Sequence, residues 1–172
     1  MARPPLPRQS VIQPLNKSYR FIPLTRNKNA IVDVEDFEWL SQWNWHARLT
    51  RNSNTFYAAR TDWGQKIFMH REVLGCKTEV DHKNGDALDN RKQNLRKSTH
   101  AQNMCNVGTP SNNTSGFKGV SWGRRENKWR SYITLHGKQK HLGFFPNKED
   151  AAHAYDEAAK ILHGEFARLN YS

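Results

Sequence analysis

Only two cysteines, Cys76 and Cys105, occur in 172 residues, too few for a disulfide framework. They form no Cys-x-x-Cys pair, so a structural zinc site has no thiolates to build on. No apolar run approaches the roughly 18 residues of a membrane-spanning helix. The opening MARPPLPRQS is proline-rich and carries no apolar stretch, which argues against a secretory signal and predicts a disordered arm over residues 1–15. An intracellular, reducing setting is the expectation. Acids are scarce too: 16 Asp and Glu stand against 27 Lys and Arg, giving a formal charge of +11 and a pI of about 9.9. Both halves of the chain share that excess, which points to a polyanionic partner, nucleic acid before membrane surface.

What is present suits an α+β protein made of small modules. Residues 16–75 read as a mixed module. Ile31 and Val32 form a short strand, and Asp33 can cap a helix running through Trp39 and Leu40. WNWHARL and TFYAAR alternate about an RNSN turn as a hairpin, and a third strand, Lys66 to Phe68, follows a DWG turn. Trp39, Trp43, Trp45, Phe56 and Phe68 are the expected core of this module. Residues 108–114 read as a linker. Residues 115–172 predict three strands (117–122, 128–135, 139–145) and one helix, begun by the Asn147/Asp150 capping pair and ended by Gly164. Ala151, Ala154, Tyr155, Ala158, Ile161 and Leu162 share a face of that helix. Strand alternation turns Ile133, Leu135 and Leu142 toward it and Arg130, Tyr132, Thr134, Gln139 and His141 away from it.

Most chemistry is concentrated in residues 80–106, VDHKNGDALDNRKQNLRKSTHAQNMCN. A strand over 79–82 ends on the adjacent pair Asp81-His82, a polar loop covers 84–90, and a second strand covers 94–97. A helix capped by Ser98 or Thr99 then carries Asn103 and Asn106. An oxygen ligand, a general base and a second oxygen ligand are the equipment for holding one hard cation and activating one water.

Asp81, His82, Asn90, Asn94, Leu95, Arg96, Asn103 and Asn106, with the lead-in MHREVLG, resemble the HNH endonucleases of phages and mobile elements, with Asn in place of the last His of the name. The resemblance implies a central ββα-metal motif over 76–107 and hydrolysis of a DNA phosphodiester, leaving 5′-phosphate and 3′-hydroxyl ends. His82 is the expected base, since imidazole titrates near neutral pH. Asp81 and Asn103 are the expected ligands of one magnesium or manganese ion. Asn94 and Asn90 are expected to support the loop around His82. Asn106 competes with Asn103 as ligand, the nine-residue step from Asn94 favouring Asn103. His100 is a further candidate ligand, and His70 is read as core packing or as shaping the site. Neighbouring strand residues point to opposite faces, so Asp81 and His82 can share one site only if the strand end bends.

GFKGVSW, KWRSYI, HLGFF and EDAAHAYDEAAKILHGEFARLNY resemble a second family, the APETALA/ethylene-response-factor DNA-binding domain. That resemblance implies a three-stranded sheet lying in the major groove of double-stranded DNA and backed by its helix. The expected contacts are Lys118, Ser121, Arg124, Arg125, Arg130, Tyr132, Thr134, Gln139 and His141. Ser121, Tyr132, Thr134 and Gln139 stand where that family places base-reading Arg and Glu, so its target sequence does not carry over. A homing-type or free-standing nuclease is the expected whole; a DNA-binding regulator with an inactive nuclease fold is the rival, and a structure-specific or RNA-directed nuclease a second.

Overall fold

A computed structural model describes residues 10–15, 18–50 and 55–171. Most of the expected arm and the RNSN turn lie outside the described residues. The protein is mixed α+β, with four small antiparallel sheets and four α-helices among those residues. It divides into two compact units, residues 1–99 and 100–172. No described helix is long and apolar enough to cross a membrane.

In the first unit, β1 (Tyr19–Pro23) pairs with β2 (Asn29–Asp33), and α1 (Val34–Ser41) follows directly. A three-stranded meander comes next: β3 (His46–Leu49), β4 (Phe56–Asp62) and β5 (Gln65–Phe68). The short helix α2 (Met69–Val73) leads into β6 (Glu79–His82), which pairs with β7 (Leu95–Ser98) after a loop and a 3-10 turn, Lys92–Asn94. Ile22, Val32, Leu40, Trp45, Ala58 and Met69 form one core, with Trp39 and Phe56 packed at its margin. Trp45 is fully buried and its indole N–H donates to the Leu40 carbonyl at 2.8 Å, so the largest core side chain leaves no orphan donor. Trp43 departs from expectation. It is 43% exposed, and the Arg60 guanidinium covers its ring at 4.1 Å from the centroid.

The second unit begins with α3 (His100–Asn106). It continues into a sheet ordered β10 (Lys138–Phe145), β9 (Lys128–Leu135), β8 (Val120–Gly123), against which α4 (Lys148–His163) packs. The Asn147 side chain accepts the Asp150 N–H, as the capping pair predicts. The buried side of α4 is Ala151, Ala152, Tyr155 and Ala159, and Ile161 is 81% exposed. Ala158 and Leu162 pack beside them as expected, so the face differs from expectation in gaining Ala152 and Ala159 and losing Ile161, because alanines occupy several sides of this helix and apolar spacing alone does not choose among them. Gly119, at φ +74°, explains the tight approach. A Cβ there would lie 2.1 Å from Tyr155 Cδ2 and 2.6 Å from the Tyr132 carbonyl oxygen. A 3-10 turn, Gly164–Phe166, and the chain end close the unit, with buried Asp156 accepting the backbone N–H groups of Asn170 and Tyr171.

Candidate active site and nucleic-acid face

The β6–β7 ladder sets Asp81 opposite Arg96 and His82 opposite Leu95. Paired residues in an antiparallel ladder share a face, so Arg96 is aimed at Asp81. Its Nε and Nη2 both donate to Asp81 Oδ2, at 2.8 and 2.6 Å, with both side chains nearly buried. Asp81 and His82 are both buried although they are consecutive. The strand ends at His82 and turns at once: Gly85 N–H donates to the His82 carbonyl at 2.8 Å.

The loop that follows is held by its own asparagines. Asn94 accepts the Asn84 N–H through Oδ1 at 3.0 Å and donates through Nδ2 to the Asp89 carbonyl at 2.8 Å, bridging both ends of the loop. Asp89, 1% exposed, accepts Asn84 Nδ2 and a two-pronged Arg91 guanidinium. Those bonds outweigh its burial and hold its carboxyl below the usual carboxylate range. Asn90 donates to the Leu88 carbonyl, and its Oδ1 is buried. It lies within reach of the His82 ring, where it favours the protonated imidazole.

Much of the remaining support comes from the N-terminal strands. Ile31 on β2 bridges to Asp89: its N–H donates to the Leu88 carbonyl and its carbonyl accepts the Asn90 N–H, each at 2.8 Å. Asp33, expected as a helix cap, makes no cap bond and instead accepts the Lys92 N–H at 2.8 Å. Lys92 Nζ reaches Asp36 at 3.0 Å.

The ring of His82 sits among other rings. His70 lies 5.2 Å away at 90°, and Tyr57 on β4 lies 6.0 Å away. Tyr57 also contacts His70, which stacks on Phe68 at 5.4 Å. Burial lowers the His82 pKa from its ordinary value, while Asn90 and the carboxylates of Asp81, Asp86 and Asp89 pull upward. His70 is pushed down to about 3 by burial, then by His82 and Arg71. Burial raises the Tyr57 phenol, with Asp81 and Glu79 adding to it. At neutral pH this cluster therefore holds two neutral imidazoles and a neutral phenol. A neutral imidazole can accept a proton, which is the state a general base needs.

Asp81, His82, Asn90 and Asn94 are thus gathered within the first unit, whereas Asn103 lies on α3 in the second, half-buried, and Asn106 is buried on the same helix. Among the described residues, no three His, Cys, Asp or Glu side chains cluster as a metal cage. Two supporting residues escaped sequence reasoning. Tyr57 carries no local signal, since it is one of several alternating apolar positions on its strand. Asp89 could have been found from the Asp-Asn pair that precedes Asn94.

The second unit presents a polar sheet face. The registers Ser121↔Arg130, Tyr132↔His141 and Thr134↔Gln139 place these six side chains on one side, opposite Ile133 and Leu142, which pack toward α4. Arg130 lies over the Tyr132 ring at 5.2 Å. Arg124 and Arg125 are exposed at the β8–β9 turn. Lys118 is placed differently. Its Nζ donates to the carbonyls of Cys105 and Val107, and burial lowers its pKa to about 8.

Comparison with known proteins places the sequence in a family. Residues 76–105 match a family described as HNH endonuclease. Protein 3.8 of Escherichia phage T7 is 38% identical over 90 residues, 52% of this chain and 74% of that protein. An uncharacterized HNH endonuclease of Acanthamoeba polyphaga mimivirus is 29% identical over 160 residues, 87% of this chain and 80% of that protein. The chain belongs to the HNH endonuclease family. Part of it is similar to plant DNA-binding proteins: the dehydration-responsive element-binding protein 2A of Arabidopsis thaliana is 44% identical over 73 residues, 40% of this chain but only 21% of that protein.

Proposed function

We propose that the protein is a metal-dependent DNA endonuclease in which His82 takes the proton from the attacking water. The observation that carries this reading is the imidazole of His82, buried at the end of β6 next to Asp81, within the stretch that matches the HNH family. A positioned base is worth about 10²–10⁴-fold in rate. Asn94 and Asn90 act by position: the first staples the loop after His82, and the second sets an amide oxygen against the imidazole.

The donor chemistry fits magnesium or manganese. Asp81 would offer a hard carboxylate oxygen in competition with its Arg96 bonds, and Asn103, or Asn106, would offer an amide oxygen; such ions accept few protein ligands while keeping waters and substrate oxygens. When bound, the cation supplies Lewis-acid stabilisation of the scissile phosphate and the leaving oxygen. Residues 76–107 would be the nuclease motif, 108–114 a linker and 115–172 the DNA-binding region. Arg124, Arg125 and Arg130 would contact phosphates in that region, and Tyr132, Thr134, Gln139 and His141 would face the major groove; Ser121 shares their side of the sheet, but its hydroxyl is buried and would contribute only after moving. Lys118 would contribute only after leaving its two carbonyls.

Supercoiled plasmid incubated with magnesium or manganese tests the reading, beside EDTA and His82→Ala controls. Nicked or linear product that disappears in both controls is expected. Tight binding without cleavage under every condition would favour the rival reading, a DNA-binding regulator on an inactive nuclease fold.

A further inference from the structure

The β4–β5 hairpin carries a residue that its own fold does not explain. Asp62 pairs with Gln65, so the turn has two residues, Trp63 and Gly64, with φ of +46° and +77°. Positive φ at both central positions marks the type I′ turn, which strongly favours Asn, Asp or Gly at the first of them. A bulky aromatic in that conformation is an outlier. The other described non-glycine residues at positive φ are Arg26, Asn27, Asn127 and His136, all polar. The indole is 96% exposed, so no packing within the unit offsets either the strained backbone or the wetted ring. An outlier of this kind is a reason to look for an external partner.

The surroundings indicate which partner. Thr61, Gln65 and Lys66 are exposed and polar, so no apolar patch surrounds the ring as a protein-docking surface would require. Asp62 is paired to Arg60 at 3.1 Å, which leaves Lys66, directly across from Thr61, as the exposed cation of the tip. A flat exposed ring beside one cation suits a nucleobase and its phosphate. The same strand begins at the candidate active site, where Tyr57 lies against His82. From Tyr57 to Trp63 is about 20 Å of strand at about 3.3 Å per residue. That spans about six base steps of duplex at about 3.4 Å each.

We propose that Trp63 is a second DNA-contacting element, which stacks on or wedges between bases a few steps from the phosphate attacked at His82. This rests on the endonuclease reading above and assigns to the hairpin tip a binding role separate from the C-terminal sheet.

Trp63→Asn in the full chain is the decisive variant, because it gives the turn the residue it favours. Its melting temperature should equal or exceed that of the parent. Its affinity for a labelled mixed-sequence duplex, read by fluorescence anisotropy, should fall about 10-fold or more, the scale of one lost base–aromatic stack. Trp63→Phe should recover most of that loss. Parent and Trp63→Asn proteins binding within about 2-fold of each other would overturn the proposal. A change confined to self-association, with DNA affinity intact, would overturn it in favour of a second copy of the chain as the partner. A parent protein that neither binds nor nicks DNA would instead fail the endonuclease reading itself, and this inference with it.

Discussion

His82 concentrates the residue-scale argument, because its environment makes it neutral before any substrate arrives. His82→Ala should abolish plasmid cleavage while duplex affinity stays within a few-fold; retained cleavage would remove the base assignment. Catalysis by a neutral imidazole needs the deprotonated form, and burial moves its pKa below the ordinary value. The rate should therefore hold level as pH falls to about 6.5 and decline only below it. A decline beginning at alkaline pH would assign the titration to another group. His70 makes a separate, stability-based prediction. Its pKa is about 3 in the fold against 6.5 in the ordinary imidazole, so the unfolded chain binds a proton that the native state refuses between those values. This group leaves stability unchanged well above pH 6.5 and lowers it as pH falls from about 6.5 towards about 3. His70→Phe should flatten that slope in denaturant titrations at several pH values, and an unchanged slope would place the acid sensitivity elsewhere.

At the scale of elements, one side chain bridges both ends of the loop after β6, and one missing side chain lets the C-terminal sheet meet its helix. Asn94→Ala leaves the Asn84 N–H and the Asp89 carbonyl without their partner, a loss of about 1–3 kcal/mol. Faster amide exchange over residues 83–90 should accompany it, and unchanged exchange there would deny Asn94 its bridging role. Gly119→Ala forces a methyl into the Tyr155 ring and the Tyr132 carbonyl at positive φ, so it should lower the melting temperature markedly and weaken DNA binding. These elements differ in how much the sequence disclosed. The strands at 79–82 and 128–135, the last strand to within one residue (139–145 expected, 138–145 found) and the caps of α4 were legible, because each rests on neighbours within a few residues. β1 and α2 were not, since YRFIP and MHREV carry little alternation or helical periodicity of their own. Asp33 was readable as a helix start but not as the acceptor for Lys92, and Tyr57 was not readable as a neighbour of His82. Both contacts join residues far apart in sequence, where local spacing carries no information.

At the scale of the whole molecule, charge and continuity matter most. With a net charge of +11 distributed along the chain, DNA affinity should fall steeply with salt, the log–log slope being about −0.9 per phosphate neutralised. A flat response would mean that backbone contact is not what holds the complex. The nuclease motif, for its part, is not a self-sufficient cassette. Its loop is closed by Ile31 through two backbone bonds and by Asp33 and Asp36 through Lys92, the last across 56 positions of chain. Contacts of such separation require closing a long loop first, so they tend to form late in folding. The residues around His82 would then reach their working arrangement only after the N-terminal strands are in place. A graft of residues 76–105 into another protein would inherit the whole stretch that matches the family without the strand that sets it.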